Sequence, residues 1–163
     1  NFMLDLKLEI YLKLLFAVSL ISIISAYFIE YILGHQPCNL CLLERIPYAL
    51  SIVLIIINYI FKINQKFLIL LLLLLFIFSF SISVYHYGIE QGYFNESSVC
   101  GVKNLGNVIS KEEILKQLND KMVSCKDVTF RIFGLSLTSI NMMLSLILTI
   151  FLINILTKYD KIK

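Results

Sequence analysis

The chain has 163 residues, 59% of them hydrophobic and only 15% charged, with a mean hydropathy of +0.86. That is far more apolar than the roughly half-apolar mix of soluble domains, and it excludes a soluble globular protein. The formal charge of +3 is scattered without a basic cluster, so it does not point to nucleic acid.

The apolar residues fall into four runs, each able to cross a hydrocarbon core roughly 30 Å thick, for which about 20 helical residues suffice. The expected architecture is all-α: one integral membrane domain over 1–163, with spans at about 14–33, 44–61, 67–85 and 135–157. The first run is too long for a signal-peptide core and no small-x-small cleavage site follows it, so it is expected to remain as a span. Asn1 and Phe2 precede Met3, the expected natural start. Glu30, near the outer end of that run, reads as an interfacial solvated acid, because a carboxylate at the bilayer centre costs about 2.5–3.5 kcal/mol.

Gly34-His35-Gln36-Pro37 breaks the helix and leads into Cys38-Asn39-Leu40-Cys41-Leu42-Leu43-Glu44-Arg45. Pro47 is expected in the first turn of the second span, where its missing N–H is unpaired in any case. Lys62-Ile63-Asn64-Gln65-Lys66 is a tight link to the third span, which ends at Tyr85-His86-Tyr87. The polar segment 86–134 follows. Within it Ser110-Lys111-Glu112-Glu113 is a capping box, and Ile114, Leu115, Leu118 and Met122 share one helical face. That pattern predicts a short amphipathic helix, on the membrane surface or on the outer end of the bundle. The glycosylation triplet Asn95-Glu96-Ser97 carries little weight. Short turns and one long outer loop make the four spans an antiparallel bundle.

Orientation follows from the basic residues of the short segments. Lys7 and Lys13, Lys62 and Lys66, and Lys158, Lys161 and Lys163 lie on one side; the first loop opposite has only Arg45. Both termini are therefore expected in the cytoplasm, and the loops 34–43 and 86–134 outside it. The longer loop has as many acids as bases, as a solvated surface should.

All four cysteines fall on the outward side: Cys38 and Cys41 in the first loop, Cys100 and Cys125 in the second. An even set confined to an oxidising face argues for disulfides, and the Cys-x-x-Cys ring is a candidate redox pair. On spacing alone, a structural staple is the simpler reading of Cys100 and Cys125. A zinc site, from all four thiols or from His35 with Cys38 and Cys41, is weaker, because Cys100 and Cys125 lack the paired short spacing of structural zinc sites. Arg45 stands one helical turn beyond Cys41, and Cys41 near a helix start would be favoured as thiolate. His86 closes the third span at similar depth. Singly, Arg45 reads as a snorkelling cation and His86 as an interfacial cap. Together beside a dithiol they suit a lipid-soluble oxidant with carbonyl oxygens.

Pro37-Cys38-Asn39-Leu40-Cys41 with Glu44-Arg45, then Tyr85-His86-Tyr87-Gly88-Ile89-Glu90-Gln91-Gly92, then a cysteine pair in the long loop, resembles the DsbB family of bacterial inner-membrane, quinone-dependent thiol oxidases. The similarity extends over essentially the whole chain in span number, motif order and loop length. It implies that Cys38 and Cys41 hand electrons to a quinone, ubiquinone or menaquinone. Cys100 and Cys125 would oxidise a periplasmic thioredoxin-like partner resembling DsbA, and Arg45 and His86 would hold the quinone. The chain has no tryptophan, so tyrosine and phenylalanine would supply its interfacial belt. Two alternatives stay open: a related thiol oxidase with a dedicated substrate, and a non-enzymatic membrane protein whose thiols bind metal or brace the loops.

Overall fold

A computed structural model describes residues 2–95, 124–126, 130–132 and 134–162. Its four helices are α1 (Phe2–Tyr31), α2 (Asn39–Phe61), α3 (Gln65–Glu90) and α4 (Leu137–Ile162). Between α3 and α4 a two-residue ladder pairs β1 (Arg131–Ile132) with β2 (Leu135–Ser136) antiparallel. The expected surface helix after Ser110, and Cys100, lie outside the described residues.

These sequences are helical because of what a bilayer demands. Isoleucine recurs through α2 and is an indifferent helix former in water. In hydrocarbon every backbone group must be satisfied within its own segment, so a long apolar run becomes a helix. Each of the four carries such a stretch: Leu8–Tyr31, Asn39–Phe61, Gln65–Glu90 and Leu137–Tyr159. Their outward faces expose Ile21, Ile24, Phe28, Ile56, Leu74, Phe78, Ile147 and Ile150, a surface that suits lipid and not water.

The ends of the helices are set locally. Gly34 takes a left-handed φ of +73° after α1, and the His35 amide folds back to the Ile29 carbonyl at 3.2 Å, closing the helix as a glycine at that position commonly does. Lys62, also left-handed, caps α2 through the Asn58 carbonyl, and the Asn64 side chain receives the Lys66 amide to start α3. The link 62–64 is thereby a hairpin turn.

The two ends of the bundle differ in what they bury. Near the termini and the α2–α3 turn, Leu8, Leu12 and Leu15 pack with Leu68, Ile69, Leu72 and Phe76 and with Leu148, Leu152 and Ile155. Farther along, Ser19 and Ser51, both fully buried, meet at 2.9 Å across α1 and α2, the close approach small residues permit between membrane helices. At the opposite end the buried groups are largely polar. Over the bundle as a whole α3 packs extensively on α4, and α2 bridges α1 and α3, while α1 barely touches α4.

Two expectations change. Because α2 begins at Asn39, Pro47 lies inside the helix instead of in its first turn, and the Leu43 carbonyl loses its helical donor. Glu30 is not a free solvated acid: it pairs with Arg45 at 2.5 Å, the two side chains being 17% and 16% exposed.

Candidate active site

Cys38 is the N-cap of α2, with extended backbone, and its sulfur accepts the Cys41 amide at 3.3 Å. Asparagine or serine usually fills this position; here a thiol does. The two Sγ atoms are 2.7 Å apart, and His86 Nε2 lies 3.5 Å from Cys38 Sγ. A hydrogen bond from the Cys41 thiol, reinforced by His86 and opposed by burial, pulls the Cys38 thiol down to about 4. The expected roles of the two cysteines are therefore exchanged: the sulfur that caps the helix and meets the imidazole is Cys38. Arg45, expected to support a Cys41 thiolate, turns to Glu30 and lies 5.1 Å from the centroid of the Tyr27 ring.

His86, 2% exposed, is held by a polar network. Its Nδ1 donates to Glu44 Oε1 at 3.1 Å, which leaves Nε2 facing sulfur. Asn141 of α4 donates through Nδ2 to Glu44 Oε2 at 3.0 Å and to Ser83 Oγ at 2.8 Å, and its Oδ1 accepts the Tyr48 hydroxyl at 2.7 Å. Thr138 Oγ1 lies 3.4 Å from His86 Nδ1 and donates to Glu90 Oε1 at 2.6 Å. Every helix contributes to this end of the bundle.

A cavity of about 340 Å³ opens on the network where α1 and α4 stand apart; Ile21, Ile29, Ile140 and Leu144 form apolar walls, and Cys38, Cys41, Arg45, His86 and Glu90 line it. Its size falls in the lower part of the range of small-molecule sites. His35, tilted against Phe130 at 4.9 Å, also lines it, as does Cys125. Cys125 is disulfide-bonded, 2% exposed, and packs in one cluster with Cys38, Leu40 and Ile89. Gly88 makes room beside that cluster, since a Cβ there would stand 2.2 Å from the Phe94 ring.

Of the residues singled out in the sequence, Cys38, Cys41, Arg45, His86 and Cys125 surround one cavity. Sequence reasoning missed Tyr48, Glu90, Thr138 and Asn141, and it read Glu30 as a solvated acid and not as the partner of Arg45. Adjacent helical residues point about 100° apart, so Glu44 goes to His86 and Arg45 to Glu30. Polar residues inside apolar runs were the available signal for Glu44 and Asn141.

The sulfur atoms of Cys38 and Cys41 and a ring nitrogen of His86 lie within 4.8 Å of one another, so the reduced site has the donor types of a soft divalent cation. Two thiols, one capping a helix and polarised by a buried imidazole, reach the edge of hydrocarbon where an apolar molecule could meet them. Chemistry of that kind exchanges electrons with protein disulfides, and the fold and site together define a membrane thiol oxidoreductase.

The comparisons agree. The profile of the family described as disulfide bond formation protein DsbB matches residues 9–155, and the chain belongs to the DsbB family. It is 29% identical over 140 residues to the uncharacterized protein RP370 of Rickettsia prowazekii (strain Madrid E), covering 85% of this chain and 81% of that one. No solved structure matches.

Proposed function

We propose that the protein is a thiol:quinone oxidoreductase that reoxidises a periplasmic thioredoxin-like dithiol oxidase, a DsbA-like partner, from the bacterial inner membrane. In this reading both termini are cytoplasmic and the cysteine loops periplasmic, as the lysine distribution suggests. The observation that carries it is the shared cavity: Cys38 and Cys41 face it with Arg45 and His86, and Cys125 packs against Cys38.

Thiol exchange begins at the Cys100–Cys125 pair. A partner thiolate attacks that disulfide and leaves oxidised. The dithiol left behind then attacks the Cys38–Cys41 disulfide, and Cys38, buried with Cys125 in one cluster, is the sulfur within its reach. That attack joins it to Cys38 and expels Cys41; when the second thiol of the pair resolves the mixed disulfide, Cys38 leaves as a thiolate stabilised by the Cys41 thiol and His86.

Energetics require an acceptor. Oxidising a partner at about −120 mV with an ordinary thioredoxin-like dithiol at about −270 mV is uphill by about 7 kcal/mol. A quinone bound in the cavity would supply that acceptor, taking two electrons and two protons. The residues present fit one. Apolar walls suit its ring and tail, His86 and the guanidinium of Arg45, with five N–H donors, suit its carbonyl oxygens, and Glu90 Oε2 is buried in the wall without a partner among the described residues. Arg45 and His86 would hold the group, and the Glu30 ion pair with the Tyr27 ring keeps the guanidinium at the cavity.

The test is anaerobic reduction of ubiquinone and menaquinone analogues by the purified protein with a reduced thioredoxin-fold dithiol as donor. Cys38→Ser and Cys41→Ser are expected to abolish it. Trapping a mixed disulfide with Cys100→Ser or Cys125→Ser identifies the partner. A pure preparation that passes electrons to no quinone overturns the proposal.

A further inference from the structure

Arg45 is the only lysine or arginine among the described residues that line the cavity, and Glu30, Glu44 and Glu90 line it too. The acids have different partners. Glu44 bonds to His86 and Asn141 and Glu90 to Thr138, which leaves Glu30 as the acid on the guanidinium. Arg45 Nη1 donates to Glu30 Oε2 at 2.5 Å, and both side chains are largely buried. One turn earlier on α1 the Tyr27 ring presents its face to the same guanidinium, 5.1 Å from Cζ, and Tyr31 stacks on that ring at 6.0 Å. The rest of the guanidinium fork has no hydrogen-bond partner among the described residues.

Tying α1 to α2 does not by itself call for charge. The Ser19–Ser51 contact joins the same two helices farther in, and a buried ion pair is weak evidence for stability. What the carboxylate adds is a negative charge on the one arginine of an apolar cavity. A guanidinium standing alone there would capture carboxylates through charge-assisted, bidentate bonds, and the chain of a long-chain acid suits the same apolar walls. We propose that Glu30 is a specificity-determining residue: its carboxylate neutralises Arg45, so that the cavity takes a neutral, chain-bearing carbonyl ligand and excludes long-chain acid anions. The identity of the accepted ligand rests on the thiol:quinone reading above; the exclusion does not.

The two ligand classes ask different things of Arg45. A neutral carbonyl needs an N–H donor, and the fork keeps several after one nitrogen has gone to Glu30. An anion needs net positive charge, which the pair has cancelled. To bind, it would have to displace Glu30 or share the guanidinium with it, and two carboxylates on one cation repel strongly where the dielectric is low. Discrimination of this kind is built by placing a repulsive group against the wrong ligand. The Tyr27 ring acts in the same sense, since the face of an aromatic ring carries negative charge.

The experiment uses the full-length protein in a neutral detergent, with spin-labelled stearic acid and its methyl ester as probes. The two share a chain and differ in charge. Binding is read from the immobilised fraction of the spin-resonance spectrum at about pH 9, well above the carboxylate range, with no quinone present. Arg45→Gln gives the background from the lipid-facing helix surfaces. Above that background, wild type is expected to bind the ester more tightly than the acid. Glu30→Gln keeps an oxygen for Nη1 and loses the charge; it is expected to tighten the acid by about tenfold or more and to move the ester by less than about twofold. Glu30→Asp, which keeps the charge, is expected to hold the wild-type order, and adding Arg45→Gln to Glu30→Gln is expected to abolish the gain. In turnover, stearate is expected to raise the KM for a quinone analogue in Glu30→Gln without changing kcat, and to leave the wild-type KM nearly unchanged. An acid that binds wild type as tightly as the ester overturns the proposal without need of any variant. So does an acid-to-ester ratio unchanged in Glu30→Gln, or a gain that survives Arg45→Gln. A wild-type protein that reduces no quinone sinks the functional reading instead, and the acid-to-ester ratio, recorded without quinone, still decides what Glu30 excludes.

Discussion

Replacing His86 by leucine tests the electrostatics of the dithiol most directly. In the reduced protein Cys38 is held down to about 4, first by the Cys41 thiol and then by His86 at 3.5 Å. A hydrogen bond to a charged group is worth about 1.5–3 kcal/mol, and a pH unit is 1.36 kcal/mol. Loss of the imidazole should therefore raise the Cys38 midpoint by roughly one to two units. The effect on folding has a definite sign. A thiol whose folded value is depressed contributes stability that is complete above its unfolded value, about 8.5, and is lost as pH falls towards about 4. Reduced wild-type protein should thus gain stability between those limits, and the variant should gain less. The assay is the pH dependence of thiolate ultraviolet absorbance, or of the alkylation rate, in reduced protein. His86→Gln, which keeps an amide donor, should fall between the two. An unchanged midpoint in His86→Leu refutes the assignment of His86 to the Cys38 sulfur.

Other outcomes follow from the same geometry. Arg45→Ala is expected to weaken quinone reduction more than thiol exchange, because Arg45 lines the cavity and bonds to Glu30 and not to sulfur; equal loss in both half-reactions refutes that division. Zinc ion is expected to bind and inhibit the reduced protein and to leave the oxidised protein untouched, since two thiolates and an imidazole are available only after reduction; competition with a chromogenic chelator reads this, and equal binding by the oxidised form counts against it. Ser51→Leu is expected to lower the melting temperature in detergent by forcing α1 from α2 at the fully buried Ser19 contact, whereas Leu74→Ala on the exposed face of α3 should leave it nearly unchanged.

The bundle was legible because hydrocarbon imposes one rule on every segment, and four long apolar runs obey it. The dithiol, Arg45 and His86 were legible as residue types that stand out against such runs. What could not be read was pairing. Glu44 and Arg45 are neighbours in sequence, and only the rotation of α2 sends them to different partners; Glu30 meets Arg45 across a turn whose path no pattern specifies. The reversal between Cys38 and Cys41 has a similar origin, since it depends on α2 beginning at Asn39, and helix boundaries are the least certain part of any sequence pattern. Asn141 and Thr138 were hidden because a single amide or hydroxyl in an apolar helix commonly bonds to its own backbone, as Thr149 does to Ser145.

The same hydrogen bonds that shape the site also join the helices, which couples activity to stability. Between membrane helices lipid supplies no hydrophobic drive, and cross-helix hydrogen bonds average about 0.6 kcal/mol, with a maximum near 1.7. Asn141 makes three, to Glu44 and Tyr48 on α2 and to Ser83 on α3. Asn141→Leu should then cost about 2–3 kcal/mol, less than three such bonds to a charged and buried network would suggest in a soluble core. A double-mutant cycle with Glu44→Gln separates the two roles. If the amide chiefly clamps the carboxylate, the coupling should exceed about 0.5 kcal/mol, and both single variants should raise the Cys38 midpoint by releasing His86. If the costs simply add and the midpoint stays put, Asn141 is packing between helices and has no part in aligning the imidazole with the sulfur.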